Sequence, residues 1–126
     1  MRARLLIASL ALCILASPAP AADRKLTGAE IELLLTGNTI DGEATKGRSL
    51  QYFDKSGATT YQDAGGQPSQ GRWRMQGDKY CSNWPPSDGW SCYAVEGDPA
   101  ATPPTITFVG DSGKRYPGNV LAGRKL

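Results

Sequence analysis

Beyond position 38 the chain consists of short runs of alternating or aromatic-rich residues, separated by Gly, Asp, Asn and Pro. This pattern is typical of antiparallel β-strands joined by tight turns. It predicts eight strands, at 38–42, 49–54, 58–62, 71–76, 79–83, 90–95, 105–109 and 114–117. Because the strands follow one another through short connections, we expect a mainly β fold. Its form should be an up-and-down antiparallel meander in a small calycin- or lipocalin-like barrel or half-barrel.

One short helix is predicted ahead of the strands. Thr27 and Glu30 have the spacing of a capping box, in which each side chain binds a backbone N–H at the start of a helix. Apolar residues then recur at helical spacing up to Leu35, and Gly37 suits the left-handed residue that ends a helix. The apolar stripe of a helix over 28–36 must pack on the sheet, so we expect it to cover an opening or an edge.

Two hairpins in the centre of the chain predict their own register. If Gly77-Asp78 is a two-residue turn and the next hairpin is centred on Pro86-Ser87, then Cys81 lies opposite Cys92. Opposed residues of antiparallel strands are close enough for a disulfide, so we expect Cys81 and Cys92 to bridge neighbouring strands. The face predicted to form the core carries Trp73, Met75, Tyr80, Tyr93 and Val95. The opposite face carries Arg72, Arg74, Lys79 and the two cysteines.

The first 21 residues have the order of a secretory signal peptide. Arg2 and Arg4 precede an apolar run over 5–16, and small residues and prolines lead up to Ala21. We expect cleavage after Ala21, which leaves a single β-rich domain over 22–126. The apolar run is shorter than the ~20 residues needed to span a bilayer core, so no stable membrane insertion is expected after cleavage.

The predicted export determines where we expect the protein to be located and whether its cysteines are oxidised. An exported chain meets an oxidising compartment, where a pair of cysteines usually forms a disulfide. The surroundings of Cys13 do not suit a lipidation box, because the bulky Leu12 precedes it. We therefore expect a monomeric periplasmic or secreted protein rather than a lipoprotein.

Charge argues against one class of partner. The chain has 14 Lys and Arg residues and 12 Asp and Glu residues, and removal of Arg2 and Arg4 with the leader leaves 12 of each sign. Binding to nucleic acid needs a clustered basic surface. A neutral mature chain with scattered basic residues is therefore not expected to bind nucleic acid.

The chain has no histidine, which removes the commonest general base, the standard catalytic triads and imidazole metal sites. We therefore expect neither an enzyme nor a metal or cofactor. The alternative is a small hydrolase that uses Asp41 and Glu43, two carboxylates on one face of a strand, for acid–base chemistry.

The loop between the two cysteines is the strongest candidate for recognition. Trp84 and Trp90 flank a rigid diproline, and the disulfide closes the loop, so little conformational freedom would be lost on binding. Two such rings suit stacking on a sugar or anchoring of a partner protein. Arg72 and Arg74 would add recognition of an anionic envelope component.

These features predict a non-catalytic periplasmic or secreted binding protein for a partner protein, a cell-wall glycan or a small ligand. The second alternative is a periplasmic inhibitor of a lysozyme or protease, which rests on similarity of size and barrel style. An inhibitor should lose binding when Trp84 or Trp90 is changed to Ala.

Several motifs resemble a family of small secreted bacterial proteins of unknown function. They are LTGAEI at 26–31, LLTGNT at 34–39, YF at 52–53, GRWR at 71–74, GD at 77–78, YC at 80–81 and CY at 92–93. The resemblance covers nearly all of the mature chain. It implies a signal peptide, a compact β-rich domain and a disulfide, and it brings no established activity.

Overall fold

The computed structural model describes residues 13–15, 23–44 and 47–126. The predicted signal peptide and its cleavage site lie outside these ranges, apart from residues 13–15. Within them the chain forms one short helix and nine strands. In chain order these are β1 (Arg24–Lys25), α1 (Gly28–Leu35), β2 (Thr39–Ala44), β3 (Gly47–Phe53), β4 (Ala58–Asp63), β5 (Ser69–Gln76), β6 (Lys79–Asn83), β7 (Ser91–Asp98), β8 (Thr105–Val109) and β9 (Arg115–Leu121). No helix of the described chain has the length and apolar character needed to cross a membrane.

Strands β2 to β9 form a closed barrel. Each strand pairs antiparallel with the next one along the chain, and β9 returns to pair with β2 from Thr39↔Leu121 to Gly42↔Gly118. The predicted mainly β meander with a short N-terminal helix is therefore confirmed. Of the two forms that the sequence left open, barrel and half-barrel, the structure has the barrel.

One strand was not predicted. β1 pairs with Glu96 and Gly97 of β7, beyond the point where β6 stops pairing with that strand at Ala94. It therefore fills an edge of β7 that β6 leaves open. A two-residue strand carries no detectable alternation, which explains why the sequence did not reveal it.

Several strands run further than the sequence indicated, and in β7 and β9 glycines that resemble turn residues lie inside the strand. β7 continues through Gly97, and β9 continues through Gly118. A Cβ on Gly97 would lie 2.2 Å from the carbonyl oxygen of Thr105 on the neighbouring strand. A Cβ on Gly118 would lie 2.7 Å from Cγ2 of Ile40. Both glycines allow a close approach inside the barrel wall rather than a turn.

The capping box at the start of α1 is confirmed. Thr27 Oγ1 accepts a hydrogen bond from the backbone N–H of Glu30 at 3.3 Å, and Glu30 Oε2 accepts one from the N–H of Thr27 at 2.9 Å. Arg24 also binds Glu30, and its hydrogen bond and that of Thr27 lower the pKa of Glu30 to about 2. The N–H of Gly28 donates to Asp78 at 2.7 Å, which fixes the helix to the β5–β6 turn.

The helix closes one end of the barrel. Ile31 and Leu35 on its inner face are fully buried, as is Leu26 just before it. They pack into one core cluster with barrel side chains that include Phe53, Trp73, Tyr80, Val95, Ile106 and Val120. This end of the barrel is therefore filled by the protein's own side chains.

The predicted hairpin registers are also confirmed. Gln76 pairs with Lys79 across the Gly77-Asp78 turn, and Cys81 lies opposite Cys92, to which it is disulfide-bonded. The five residues predicted for the core face are buried or half-buried in the core, whereas Arg72, Arg74 and Lys79 are exposed. The bridge thus connects β6 to β7 from the outer face.

We expect the double variant Cys81→Ser/Cys92→Ser to be less stable by about 2–4 kcal/mol, because the bridge restricts the unfolded chain. Urea unfolding of the mature protein, followed by circular dichroism, measures this difference. Wild-type protein unfolded in the presence of a reductant should match the variant. Coincident unfolding curves for oxidised wild type and variant would contradict a stabilising role.

Candidate functional site

The end of the barrel opposite α1 opens into a cavity of about 1070 Å³. Ligand sites for small molecules commonly occupy about 300–1,000 Å³, so the space is sufficient for one. Six aromatic side chains line it: Tyr61, Tyr80, Trp84, Tyr93, Phe108 and Tyr116. Serine and glutamine side chains also line it: Ser49, Gln51, Ser69, Gln70 and Ser82.

The aromatic side chains form two groups. On the β6–β9 side the rings of Tyr80 and Phe108 are 4.8 Å apart, and Tyr93 meets Tyr116 edge to face at 6.1 Å. On the β4 side Tyr61 meets Trp84 edge to face, also at 6.1 Å. Tyr61 and Phe108 lie on β4 and β8, which are four strands apart in the eight-stranded barrel.

The floor of the cavity is polar and internally hydrogen-bonded. Gln51 Nε2 donates to the hydroxyl oxygen of Tyr80 at 3.0 Å and to that of Thr59 at 3.1 Å. Burial raises the pKa of Tyr80 from 10.0 to about 12, so its phenol stays neutral at ordinary pH. Every fully buried side-chain nitrogen and oxygen of the described residues has a partner. The floor is therefore uncharged and fixed in place.

Charged side chains lie at the entrance. The Tyr61 hydroxyl donates to Asp63 Oδ1 at 2.7 Å near the end of β4, and partial burial raises the pKa of this tyrosine. The ammonium of Lys114 lies 5.2 Å from the ring centre of Tyr116. Charges of both signs thus surround the opening, above the uncharged floor.

Trp84 lies inside the cavity, at the end of β6. Its Nε1 donates to Ser82 Oγ at 3.2 Å, and its ring packs on the backbone of Gly71. A Cβ at position 71 would lie 2.6 Å from Cε3 of the Trp84 ring. The indole therefore depends on a glycine in the adjacent strand β5.

Trp90 lies on the opposite side of the barrel wall. It lines an outer groove of about 660 Å³ together with Arg72 and Arg74, and the guanidinium carbon of Arg74 is 4.0 Å from the centre of its ring. The structure thus brings three of the four predicted binding residues together and places Trp84 elsewhere. Strand alternation explains this, since Trp84 is two residues from the inward Ser82, whereas Trp90 is one residue from the inward Ser91.

Asp41 and Glu43 lie on one face of β2, as the hydrolase hypothesis requires. However, Arg48 donates to both carboxylate oxygens of Asp41, at 2.7 and 2.9 Å, and Asp41 does not line the cavity. The geometry therefore gives this pair no shared pocket. Within the described ranges no three His, Cys, Asp or Glu residues are grouped as metal ligands.

The sequence reasoning did not single out most of the cavity lining. Gln51, Tyr61, Phe108 and Tyr116 alternate with outward residues, so their inward direction could have been inferred from strand register. Which of them line an open space rather than a packed core depends on where α1 lies.

Comparisons of the chain with models of known protein families, with curated proteins and with solved structures found no match. The resemblance to small secreted bacterial proteins therefore stays a prediction. The cavity and the groove are the features from which function can be inferred.

We expect Gly71→Ala to displace the Trp84 indole, because the added methyl group would overlap its ring. Forced overpacking of this kind typically costs about 1–3 kcal/mol. The shift of the Trp84 indole N–H signal in a ¹H–¹⁵N spectrum, together with the melting temperature, measures both effects.

Gly89→Ala is the matched control, since a Cβ there has its nearest neighbour at 3.9 Å, the Ser87 hydroxyl oxygen. It should leave the Trp84 signal and the melting temperature close to wild type. Equal responses of the two variants would contradict the packing of Trp84 on Gly71.

We expect Tyr80 to ionise near pH 12 in the folded protein. The folded state then keeps a proton that the unfolded state loses near pH 10, so the stability from this group is present below that pH and falls as pH rises toward 12. When tyrosinate absorbance is followed during a pH titration, the step at the highest pH should be missing in Tyr80→Phe. Tyr116→Phe, at an exposed ring, is the control and should keep this highest step. Loss of the step in both variants would contradict the assignment.

Proposed function

We propose that the protein is an exported, non-catalytic binding protein that holds a small, uncharged, ring-containing ligand in the open end of its barrel. One observation carries this proposal. The cavity opposite α1 combines two groups of aromatic rings with an uncharged, hydrogen-bonded floor.

The chemistry of the lining favours an uncharged ligand. A charged group on the floor would lose its hydration without meeting an opposite charge, because the charged lining residues lie at the entrance. The aromatic rings offer flat surfaces for stacking on a ring, and the serine and glutamine side chains offer donors and acceptors for its substituents. An amphipathic ring, such as a neutral sugar or a heterocycle, matches both features.

The cavity also has the rigidity that favours binding. The barrel is closed by strand pairing all the way round, and the floor side chains are held by one another. A ligand would therefore enter a preformed space, and little conformational entropy would be lost on binding. Export to an oxidising compartment is supported by the disulfide between Cys81 and Cys92.

Native mass spectrometry of protein expressed with its own leader tests this proposal. We expect protein recovered from the cell envelope to have the mass of a chain that starts at Ala22 with one disulfide, plus a bound species. In Ser69→Phe, whose new ring would narrow the opening of the cavity beside Tyr61, the bound species should be lost.

Ala64→Phe is the matched control, because Ala64 is exposed in the next loop and does not line the cavity. It should keep the bound species. The proposal would be wrong if wild-type protein were empty and also failed to bind any member of a panel of neutral sugars and heterocycles. It would also be wrong if Ser69→Phe retained the bound species as well as Ala64→Phe does.

A further inference from the structure

The outer groove lies on the side of the barrel wall that faces away from the cavity. It runs along β5 between the Ser56-Gly57 turn and the loop from Pro85 to Asp88, and it ends at Trp90. We propose that this groove is a second binding site, and that it takes a carboxylate group carried on a sugar.

Two unpaired cations favour an anionic ligand. Arg72 and Arg74 are two residues apart on β5, and both side chains line the groove. The three ion pairs of the described chain use Arg24, Arg48 and Arg115, so neither groove arginine is neutralised by a described carboxylate. Two such charges side by side attract an anion, even though the mature chain is neutral as a whole.

The Arg74 side chain is already oriented for binding. Its guanidinium carbon lies over the Trp90 ring, 4.0 Å from the ring centre, and this cation–π contact restricts the side chain. The N–H groups of a guanidinium lie at the edge of its plane. A planar carboxylate can accept two of them at once, so the orientation suits a bidentate pair.

The loop that forms one wall of the groove is fixed as well. The buried Asn83 side chain donates to the carbonyl oxygens of Ser87 and Gly89, at 2.9 and 2.7 Å. The N–H of Ser87 donates to the carbonyl oxygen of Trp84 at 3.1 Å. The groove therefore exists before a ligand arrives, and binding would cost little ordering.

The single negative charge in the groove favours a singly charged group at the two arginines. Asp88 lines the same groove as the two arginines. A phosphate dianion would leave the groove with a net negative charge, whereas one carboxylate would leave it neutral. Arg72, Arg74 and Asp88 together carry a net charge of plus one, which one carboxylate would neutralise.

A sugar fits the groove better than a peptide does. β5 is hydrogen-bonded to β4 on one side and to β6 on the other, so an extended peptide cannot join the sheet there as an extra strand. Pro85 and Pro86 present apolar ring surfaces that suit the C–H face of a sugar ring, in the same groove as the Arg74 guanidinium. The anionic group would then be a sugar acid next to such a ring.

Isothermal titration calorimetry with trigalacturonate tests this inference at low salt. The comparison ligands are its methyl ester, a triglutamate peptide and inorganic phosphate. We expect trigalacturonate to bind, and the ester to bind at least about tenfold more weakly, because a charged hydrogen bond is lost. The peptide and phosphate should also bind more weakly than trigalacturonate.

The variants Arg72→Gln and Arg74→Gln should each weaken trigalacturonate binding by about tenfold. Arg74→Lys keeps the charge but loses the planar fork, and it should weaken binding to a similar degree. Lys79→Gln is the control, because it removes an exposed cation from the same outer face without touching the groove. It should change the affinity by less than about twofold. Ser69→Phe, which narrows the opening of the cavity, should leave this binding unchanged.

Several results would overturn the inference. The inference would be wrong if trigalacturonate did not bind, or if its ester bound with equal affinity. It would also be wrong if Lys79→Gln lost as much affinity as the arginine variants do, because that would indicate diffuse charge attraction. Tighter binding of triglutamate would identify a peptide site instead, and tighter binding of phosphate would identify a phosphate site. Loss of binding in Ser69→Phe would place the ligand in the cavity. Circular dichroism of each variant verifies that its fold is intact.

Discussion

Pairing between residues 39–42 of β2 and 118–121 of β9 joins the two ends of the sheet. This pairing closes the sheet, so the barrel wall has an inner face and an outer face. It also leaves every barrel strand hydrogen-bonded on both sides along part of its length. Because side chains alternate along each strand, closure also decides which of them share the interior. The core, the cavity and the outer groove all depend on this division.

The position of α1 then divides the interior into a packed part and an open part. The helix is fixed by its capping box and by the hydrogen bond from Gly28 to Asp78. Its apolar face completes the core at one end, where Leu35 and Phe53 are fully buried. The other end has no such cover among the described residues, and polar side chains mix there with aromatic ones. An eight-stranded barrel that would otherwise be filled by its own side chains thus keeps room for a ligand.

The β6–β7 loop contributes side chains to both faces of the barrel wall. Trp84 enters the cavity at its start, and Trp90 meets Arg74 on the outer face at its end. Asn83 and the Cys81–Cys92 bridge fix the loop between them. Pro85 of this loop lines both the cavity and the outer groove, so the two proposed sites share one wall.

The sequence by itself determined the strand order, the capped helix, the hairpin registers and the disulfide, because these depend on local turns, caps and two-residue alternation. Alternation also assigned Arg72 and Arg74 correctly to the outer face. The same alternation, extended by one or two residues past the strand ends, places the two tryptophans on opposite faces, whereas the sequence-based hypothesis put them in one site. The closing pair of strands, the true length of the strands that contain Gly97 and Gly118, and the open cavity were decided only by tertiary structure. Each of these depends on contacts between segments far apart in the chain, and no local pattern encodes such contacts.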